Sequence, residues 1–162
     1  MIKMYCCLLL FITGVCHSQI NNSAAYVLPK IAIGVNDFED VLTENQEEEL
    51  TEMMLNYEKV TSNEIAFVSV SSLGPYENID DFALKLAQKN GLGKLQKNNG
   101  IIIVLSKTLR VFRIQNGEGI GDKLTDAETG LIIEETIIPN FKSGKYFEGI
   151  RDGIIRIKKE LE

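Results

Sequence analysis

Two short and nearly continuous apolar runs, at residues 65–70 and 101–105, constrain the fold more than any other feature of this sequence. A strand with one face in water alternates apolar and polar residues, whereas a strand buried on both faces has an almost unbroken apolar sequence. A third strand-like segment, residues 109–114, follows the second run after only three residues. So short a connection predicts an antiparallel hairpin. The chain is therefore expected to build a central sheet that is covered on both faces.

Segments with helical periodicity alternate with these strands. A T-x-x-Q capping box at Thr43 predicts a first helix over residues 43–61. Asn78 is a suitable cap for a second helix, which Gly91 closes. A capping box at Thr125 starts a third helix, which Pro139 is expected to end. The last helix carries an apolar stripe made of Phe147, Ile150, Ile154, Ile157 and Leu161. This order predicts an α/β domain with a central mixed sheet and helices on its faces.

The N-terminus has the pattern of a secretory signal peptide. Residues 1–18 contain Lys3, an apolar stretch and then small or polar residues, so that cleavage is expected near Ser18. The mature protein is then expected in the periplasm or outside the cell. No other stretch is apolar enough to predict a membrane span after cleavage. Residues 19–36 are expected to be an exposed leader and residues 37–162 the folded domain.

Cleavage of this segment would remove every cysteine and the only histidine, which lie at positions 6, 7, 16 and 17. The mature chain would then have no disulfide, no Cys nucleophile, no His base and none of the usual zinc ligands. Any metal would have to be held by oxygen atoms. The chain carries 17 basic and 23 acidic side chains, a formal charge of −6, which disfavours nucleic acid and anionic membranes as partners.

The most suggestive segment is the acidic, glycine-rich stretch QNGEGIGDKLTDAETG, residues 115–130. If the strands at 65–70 and 101–105 are parallel, the hairpin returns this stretch to the side of residues 97–100. The oxygen-bearing side chains that would then meet at one end of the sheet are Asn98, Asn99, Glu118, Asp122 and Asp126. Calcium prefers carboxylate, amide and backbone oxygens on a loop that folds around it. The segment therefore predicts a site for calcium or a similar hard cation.

The same loop admits other interpretations. The segment 117–122 does not fit a dinucleotide fingerprint, because acidic side chains stand where a pyrophosphate would bind. It also lacks the Walker and EF-hand patterns. A plain turn fits equally well, with glycines at positive φ and acids that face water or cap the next helix.

Several motifs, in a fixed order, resemble the TPM domain family. They are Val35-Asn36-Asp37, the segment 91–100 that ends in Asn98-Asn99-Gly100, the segment 113–120, Leu124-Thr125-Asp126 and the segment 137–149. The resemblance extends over roughly residues 35–157. It implies an α/β/α sandwich with a mixed sheet, and both calcium binding and acid phosphatase activity are attributed to family members. Members include plant thylakoid-lumen proteins, an accessory protein of a nematode acetylcholine receptor and many exported bacterial proteins.

The family's loop motif is altered in this chain. Where members commonly have G-Y-G-L-E, this chain has Gly117-Glu118-Gly119-Ile120-Gly121, so that the carboxylates are displaced rather than lost. Asp37 and Asp126 match the family pattern directly, and the resemblance therefore adds Asp37 to the candidate metal ligands.

Two functional hypotheses follow. The first is an exported module without catalytic activity that binds a divalent cation and docks on a protein of the cell envelope or a secreted protein. The second is a metal-assisted acid phosphatase that uses metal-activated water or an Asp nucleophile. Arg113 would bind phosphate in the second hypothesis and would pair with the loop carboxylates in the first.

Overall fold

Residues 26–162, the part of the chain that the computed structural model describes, form a four-stranded sheet with helices on both faces. The strands are β1 (Gly34–Asp37), β2 (Glu64–Ser69), β3 (Gly100–Ser106) and β4 (Val111–Asn116). They lie side by side in chain order, with β1, β2 and β3 parallel and β4 antiparallel to β3. The predicted mixed sheet with one antiparallel hairpin is confirmed. The predicted signal peptide, residues 1–18, and residues 19–25 of the leader lie outside the described part.

The helices have the following bounds. They are α1 (Glu44–Thr61), α2 (Ile79–Asn90), α3 (Glu118–Gly121), α4 (Asp126–Ile132), a π-helical turn (Ile133–Ile137), α5 (Ile138–Lys142) and α6 (Tyr146–Glu160). The capping residues Asn78 and Thr125 accept hydrogen bonds from Asp81 N–H and Glu128 N–H, as their spacing predicts. Gly91 ends α2 with a left-handed φ of 63°.

Two apolar cores lie on the two faces of the sheet. Every residue of β2 and β3 is buried, in agreement with their continuous apolar sequences. Alternate residues point to opposite faces, so Phe67 and Ile103 meet α1 and α6, whereas Val68 and Val104 meet α2. The result is the α/β/α sandwich that the family resemblance implies.

The hairpin differs from the predicted one at its turn. The strand predicted to begin at residue 109 begins instead at Val111, because Arg110 has a left-handed φ of 58° that a strand residue does not adopt. Leu109 belongs to the turn and is 47% exposed. In the sequence alone, a leucine at this position is indistinguishable from the first apolar residue of the strand.

Pro139 does not end its helix, contrary to the prediction. The chain passes through the π-helical turn, in which Ile138 N–H bonds to Ile133 O five residues back, and continues into α5. Proline has no N–H for the carbonyl four residues earlier, and its ring clashes with that carbonyl. The wider π-helical register accommodates both effects. Asn140 Nδ2 supports the same turn by donating to Thr136 O at 2.9 Å.

Residues 26–33 form a strap across the α2 face of the sheet. Leu28 and Ile31 pack on the core beneath α2. Asn90, the last residue of α2, accepts a hydrogen bond from Ile31 N–H at 3.0 Å and donates one to Pro29 O at 3.1 Å. The strap leads directly into β1 at Gly34, inside the segment expected to be an exposed leader. This part of the leader is integral to the domain.

Candidate functional site

The predicted ligands are divided between the two ends of the sheet. We call the end where β2 and β3 begin the amino end, and the end where β1, β2 and β3 finish the carboxyl end. Because β4 is antiparallel, its last residue, Asn116, pairs with Ile101 at the amino end. The loops 91–99 and 117–125 therefore lie together there, which confirms the placement that the sequence predicts.

These two loops pack against each other through their backbones. Gly117 N–H donates to Gly100 O at 2.8 Å, and Gly119 N–H donates to Asn98 O at 3.1 Å. A Cβ atom on Gly117 would lie 2.1 Å from Asn98 O, and one on Gly119 would lie 1.8 Å from Lys97 O. Both glycines are thus required by the close approach of the loops.

An ion cluster anchors the loop 91–99 to the rest of the domain. Lys94 Nζ lies 2.7 Å from Glu58 Oε1 and 2.8 Å from Glu64 Oε1. Glu64 also accepts a hydrogen bond from Gly93 N–H at 2.7 Å. The hydrogen bonds to Glu58 and then to Glu64 raise the pKa of Lys94 above its ordinary value. Glu64 is only 8% exposed, and the ammonium group of Lys94 compensates for the burial of its charge.

Asn99 is committed to structure and is not available as a ligand. It is 4% exposed, and its Oδ1 accepts a hydrogen bond from Lys94 N–H at 2.9 Å. Its Nδ2 donates to Ser62 O at 2.7 Å and to Asn63 Oδ1 at 3.1 Å. The side chain of this predicted ligand instead joins the loop to the end of α1.

Asn98 and Glu118 are the predicted ligands that the structure brings into contact. Asn98 Nδ2 lies 3.4 Å from Glu118 Oε2, and both residues are exposed. Asp122 follows Glu118 by four residues around the short α3 turn, which places the two carboxylates on the same side. Asp126 is the first residue of α4 and is also exposed. Among residues 26–162, no three His, Cys, Asp or Glu side chains are grouped as a metal site.

Asp37 lies at the carboxyl end, so it cannot share an ion with Glu118. Its register partner is Ser69, the last residue of β2, and the length of that strand, roughly 20 Å, separates the two ends. Its carboxylate accepts hydrogen bonds from the Ser69 hydroxyl and from Leu42 N–H, the latter at 2.8 Å. Asp37 thus holds the turn between β1 and α1. The six candidate ligands together do not fit one ion.

Arg113 forms an ion pair, but not with the loop carboxylates. Its Nε lies 3.0 Å from Asp80 Oδ1 on α2, although the N–H is not directed at that oxygen. Its Nη2 donates to Gln115 Oε1 at 3.0 Å. The side chain of Arg113 points to the α2 face of the sheet, and its predicted pairing with the loop was wrong.

An open groove of about 600 Å³ adjoins the amino end. It lies between α2, the loop 91–98 and the end of β4, and Asn98 and Glu118 form part of its wall. Leu84, which is 39% exposed, and Leu95, which is 92% exposed, border it. These two leucines are the apolar side chains that the groove offers to another molecule, since interaction sites combine exposed apolar and polar groups.

Two sets of stabilising interactions could not be predicted from the sequence. Glu64 stands directly before an apolar strand, and a buried charge there requires a partner, but nothing in the sequence identifies Lys94, thirty residues later, as that partner. Likewise, nothing in the sequence distinguishes Asn90 from any other residue at the end of a helix, so its bonds to the strap could not be predicted. The apolar residues of the strap, Leu28 and Ile31, were the available signal for a segment that packs on the domain.

The fold, the two-sided core and the paired loops define an α/β/α domain of the type that the motifs indicated. The family model described as the TPM domain matches residues 35–160. The chain belongs to the TPM domain family.

Solved structures agree with this assignment. The N-terminal domain of a protein from P. gingivalis, solved by NMR, is 33% identical, with a TM-score of 0.71 over 78% of this chain and 80% of that one. The BA42 protein of the psychrophilic bacterium Bizionia argentinensis is 24% identical, with a TM-score of 0.66 over 76% of this chain and 83% of that one. The N-terminal domain of the cg2496 protein of Corynebacterium glutamicum is 16% identical, with a TM-score of 0.58 over 84% of each chain. The last two show the fold alone.

No protein of curated function is detectably similar to this chain. Among the described helices, none combines the length and the apolar character that crossing a bilayer requires.

Proposed function

We propose that this chain is a binding domain without catalytic activity. It acts in the periplasm or outside the cell, takes up a divalent cation of the calcium type at its amino end, and contacts a protein of the cell envelope or a secreted protein. The observation that carries the proposal is the contact between Asn98 and Glu118, on two loops whose backbones are bonded to each other.

The chemistry of the amino end supports a weak cation site. Glu118 and Asp122 supply carboxylate oxygens on one side of α3. Asn98 lies beside them with its Nδ2 directed at Glu118, so its Oδ1 becomes a ligand only when the amide turns over. Calcium requires six to eight oxygens, so water must complete the shell. A site with few protein ligands and several water ligands is expected to bind calcium as weakly as extracellular calcium modules do, with a dissociation constant of about 10⁻⁴–10⁻³ M.

The groove supports the partner contact. It brings exposed leucines and amide side chains next to the cation ligands, so that a bound ion and a bound protein would touch neighbouring surfaces. A cation that orders Glu118 would then also shape one wall of the groove.

Calcium titration of the purified protein after chelator treatment, followed through backbone amide shifts by NMR, tests the cation site. We expect a saturable shift at residues 97–99 and 117–122. Glu118→Gln and Asp122→Asn should each weaken binding at least about tenfold, because each removes one of few charged ligands. Glu52→Gln, at an exposed carboxylate on α1, is the matched control and should leave the titration unchanged.

Unchanged spectra at millimolar calcium would remove the cation from the proposal. Shifts that survive both substitutions would place the ion elsewhere. Neither result bears on the groove, whose partner contact is tested separately by substitution of Leu95.

Hydrolysis of phosphate monoesters, the alternative, has less support from the residues of this chain. Arg113, the predicted phosphate ligand, is engaged by Asp80 and Gln115. We expect no hydrolysis of a chromogenic phosphate ester above that of a blank purification. Activity that survives repurification and is lost in Asp126→Asn would overturn the assignment as a domain without catalysis.

A further inference from the structure

Four exposed basic side chains lie on two turns at the carboxyl end of the sheet. Lys107 and Arg110 belong to the turn between β3 and β4, and Lys142 and Lys145 flank the turn between α5 and α6. None of the four pairs with a carboxylate among residues 26–162. We call these four residues the basic corner. The whole chain has a formal charge of −6, so the basic corner reverses the sign of the charge locally.

Packed aromatic rings hold the two turns next to each other. The ring of Phe141 on α5 lies 5.3 Å from that of Phe112 on β4 and 5.0 Å from that of Tyr146 on α6. Lys107 Nζ lies 5.3 Å from the centre of the Tyr146 ring, and Lys145 directly precedes that tyrosine. The cations of the two turns are therefore neighbours because the core beneath them is packed.

Three carboxylates lie beside the basic corner. Glu39 and Asp40 approach from the side of β1 and line an open depression together with Lys107. Glu39 accepts hydrogen bonds from Lys107 N–H at 2.8 Å and from the next N–H at 3.2 Å, so it holds the turn itself. Glu148 lies three residues before Arg151 on α6 and interacts with that guanidinium. Four cations thus face two remaining carboxylates, and the corner keeps an excess of positive charge.

Leu109 lies between the two cations of the hairpin turn and is 47% exposed. An apolar side chain flanked by cations matches a membrane–water interface, where anionic headgroups lie directly above the acyl chains. A protein surface rich in carboxylates would attract the same cations, but it would offer the leucine no apolar contact. The combination therefore favours a lipid surface.

We propose that the basic corner docks on a membrane surface that contains anionic lipid. Its cations bind headgroup phosphates, and Leu109 enters the interface. The negative charge of the remaining chain opposes this only weakly, because charges are screened beyond about 8 Å at physiological ionic strength. The expectation that the net charge disfavours anionic membranes consequently does not extend to this corner. Asn98 and Glu118, at the opposite end of the sheet, stay accessible, so the docking is independent of the proposed cation site.

Cosedimentation of the purified mature protein with sucrose-loaded vesicles, in chelator, tests the proposal. Vesicles of equal parts phosphatidylglycerol and phosphatidylcholine should bind the protein, and vesicles of phosphatidylcholine alone should not. The double variant Lys142→Gln/Lys145→Gln should bind the anionic vesicles about tenfold or more weakly, because each cation near such a surface contributes to binding. Lys85→Gln/Lys159→Gln removes two exposed cations elsewhere, on α2 and α6, and should bind like the wild type.

A tryptophan at the tip reports whether Leu109 enters the interface. The chain contains no tryptophan, so Leu109→Trp introduces a single fluorophore. Its emission should shift to shorter wavelength when anionic vesicles are added. Leu95→Trp, at the amino end, places the fluorophore on the opposite side of the domain and should show no shift.

Several results would overturn the proposal. They are a wild-type protein that does not bind the anionic vesicles, equal binding to both kinds of vesicle, equal losses in the two double variants, and a tryptophan at position 109 whose emission does not change. Binding to polyglutamate without binding to vesicles would assign the basic corner to an acidic protein instead. Circular dichroism establishes that each variant is folded before its binding is compared.

Discussion

Gly117 and Gly119 determine how closely the two loops of the amino end approach. Gly117→Ala and Gly119→Ala would each place a methyl group within 2.1 Å of a backbone oxygen. Backbone atoms cannot move aside as a flexible side chain does, so we expect each substitution to lower the free energy of unfolding by about 1–3 kcal/mol. Urea denaturation measures the loss.

Gly121→Ala is the control for these two substitutions. A Cβ atom there would have no neighbour within 4 Å, and the residue is helical. Alanine should leave stability unchanged or raise it by about 0.5–1 kcal/mol. Equal effects at the three positions would contradict the assignment of Gly117 and Gly119 to loop packing.

Lys94 is the counter-charge of the carboxylate of Glu64. In Lys94→Met, Glu64 would keep only the hydrogen bond from Gly93 N–H, and we expect a lower urea midpoint at neutral pH. The pKa of Lys94 is raised by folding. The contribution of Lys94 to the free energy of unfolding is therefore complete at pH values below its ordinary pKa of 10.5. It disappears as the pH rises through the raised pKa of the folded state.

The gap between the midpoints of the wild type and Lys94→Met should accordingly narrow at alkaline pH. Lys85→Met, at an exposed residue of α2, should show no comparable gap at any pH. Equal midpoints for wild type and Lys94→Met at neutral pH would mean that Glu64 does not depend on Lys94.

At the scale of elements, the end of α2 holds the strap. Asn90→Ala removes the hydrogen bonds to Ile31 N–H and Pro29 O. We expect a loss of about 1–3 kcal/mol in unfolding free energy and faster hydrogen exchange at the Ile31 amide. Asn56→Ala, on the exposed face of α1, should change neither quantity. Unaltered exchange at Ile31 in Asn90→Ala would show that apolar packing alone holds the strap.

Elements with a periodic or capped sequence could be predicted, and their connections could not. The helices α1 and α2 begin and end at the residues that their caps indicated, because a cap is a local interaction between neighbouring residues. The start of β4 and the helix around Pro139 depend on backbone geometry that the sequence does not encode locally. Arg110 adopts a left-handed φ without being glycine, and the π-helical turn accommodates a proline that would ordinarily end the helix.

At the scale of the whole molecule, topology explains why the meeting of the two loops could be predicted and the roles of single side chains could not. The parallel pair β2 and β3 with a following hairpin necessarily returns the chain to residues 97–100, so the meeting of the two loops followed from strand order. The roles of Asp37 and Asn99 did not follow. Each is bonded to a partner at least thirty residues away, Ser69 and Asn63 respectively, and a single sequence does not reveal such pairs.

The strap also determines at which end of the sheet its first residue, Tyr26, lies. It begins at Tyr26, whose ring packs on Tyr76 and Gly74 near the carboxyl end, and it crosses α2 to Asn90 at the amino end. Tyr26, the first described residue, thus lies at the end of the sheet remote from Asn98 and Glu118. A label or tether attached at Tyr26 would therefore leave Asn98 and Glu118 on the opposite side of the domain, accessible to a partner.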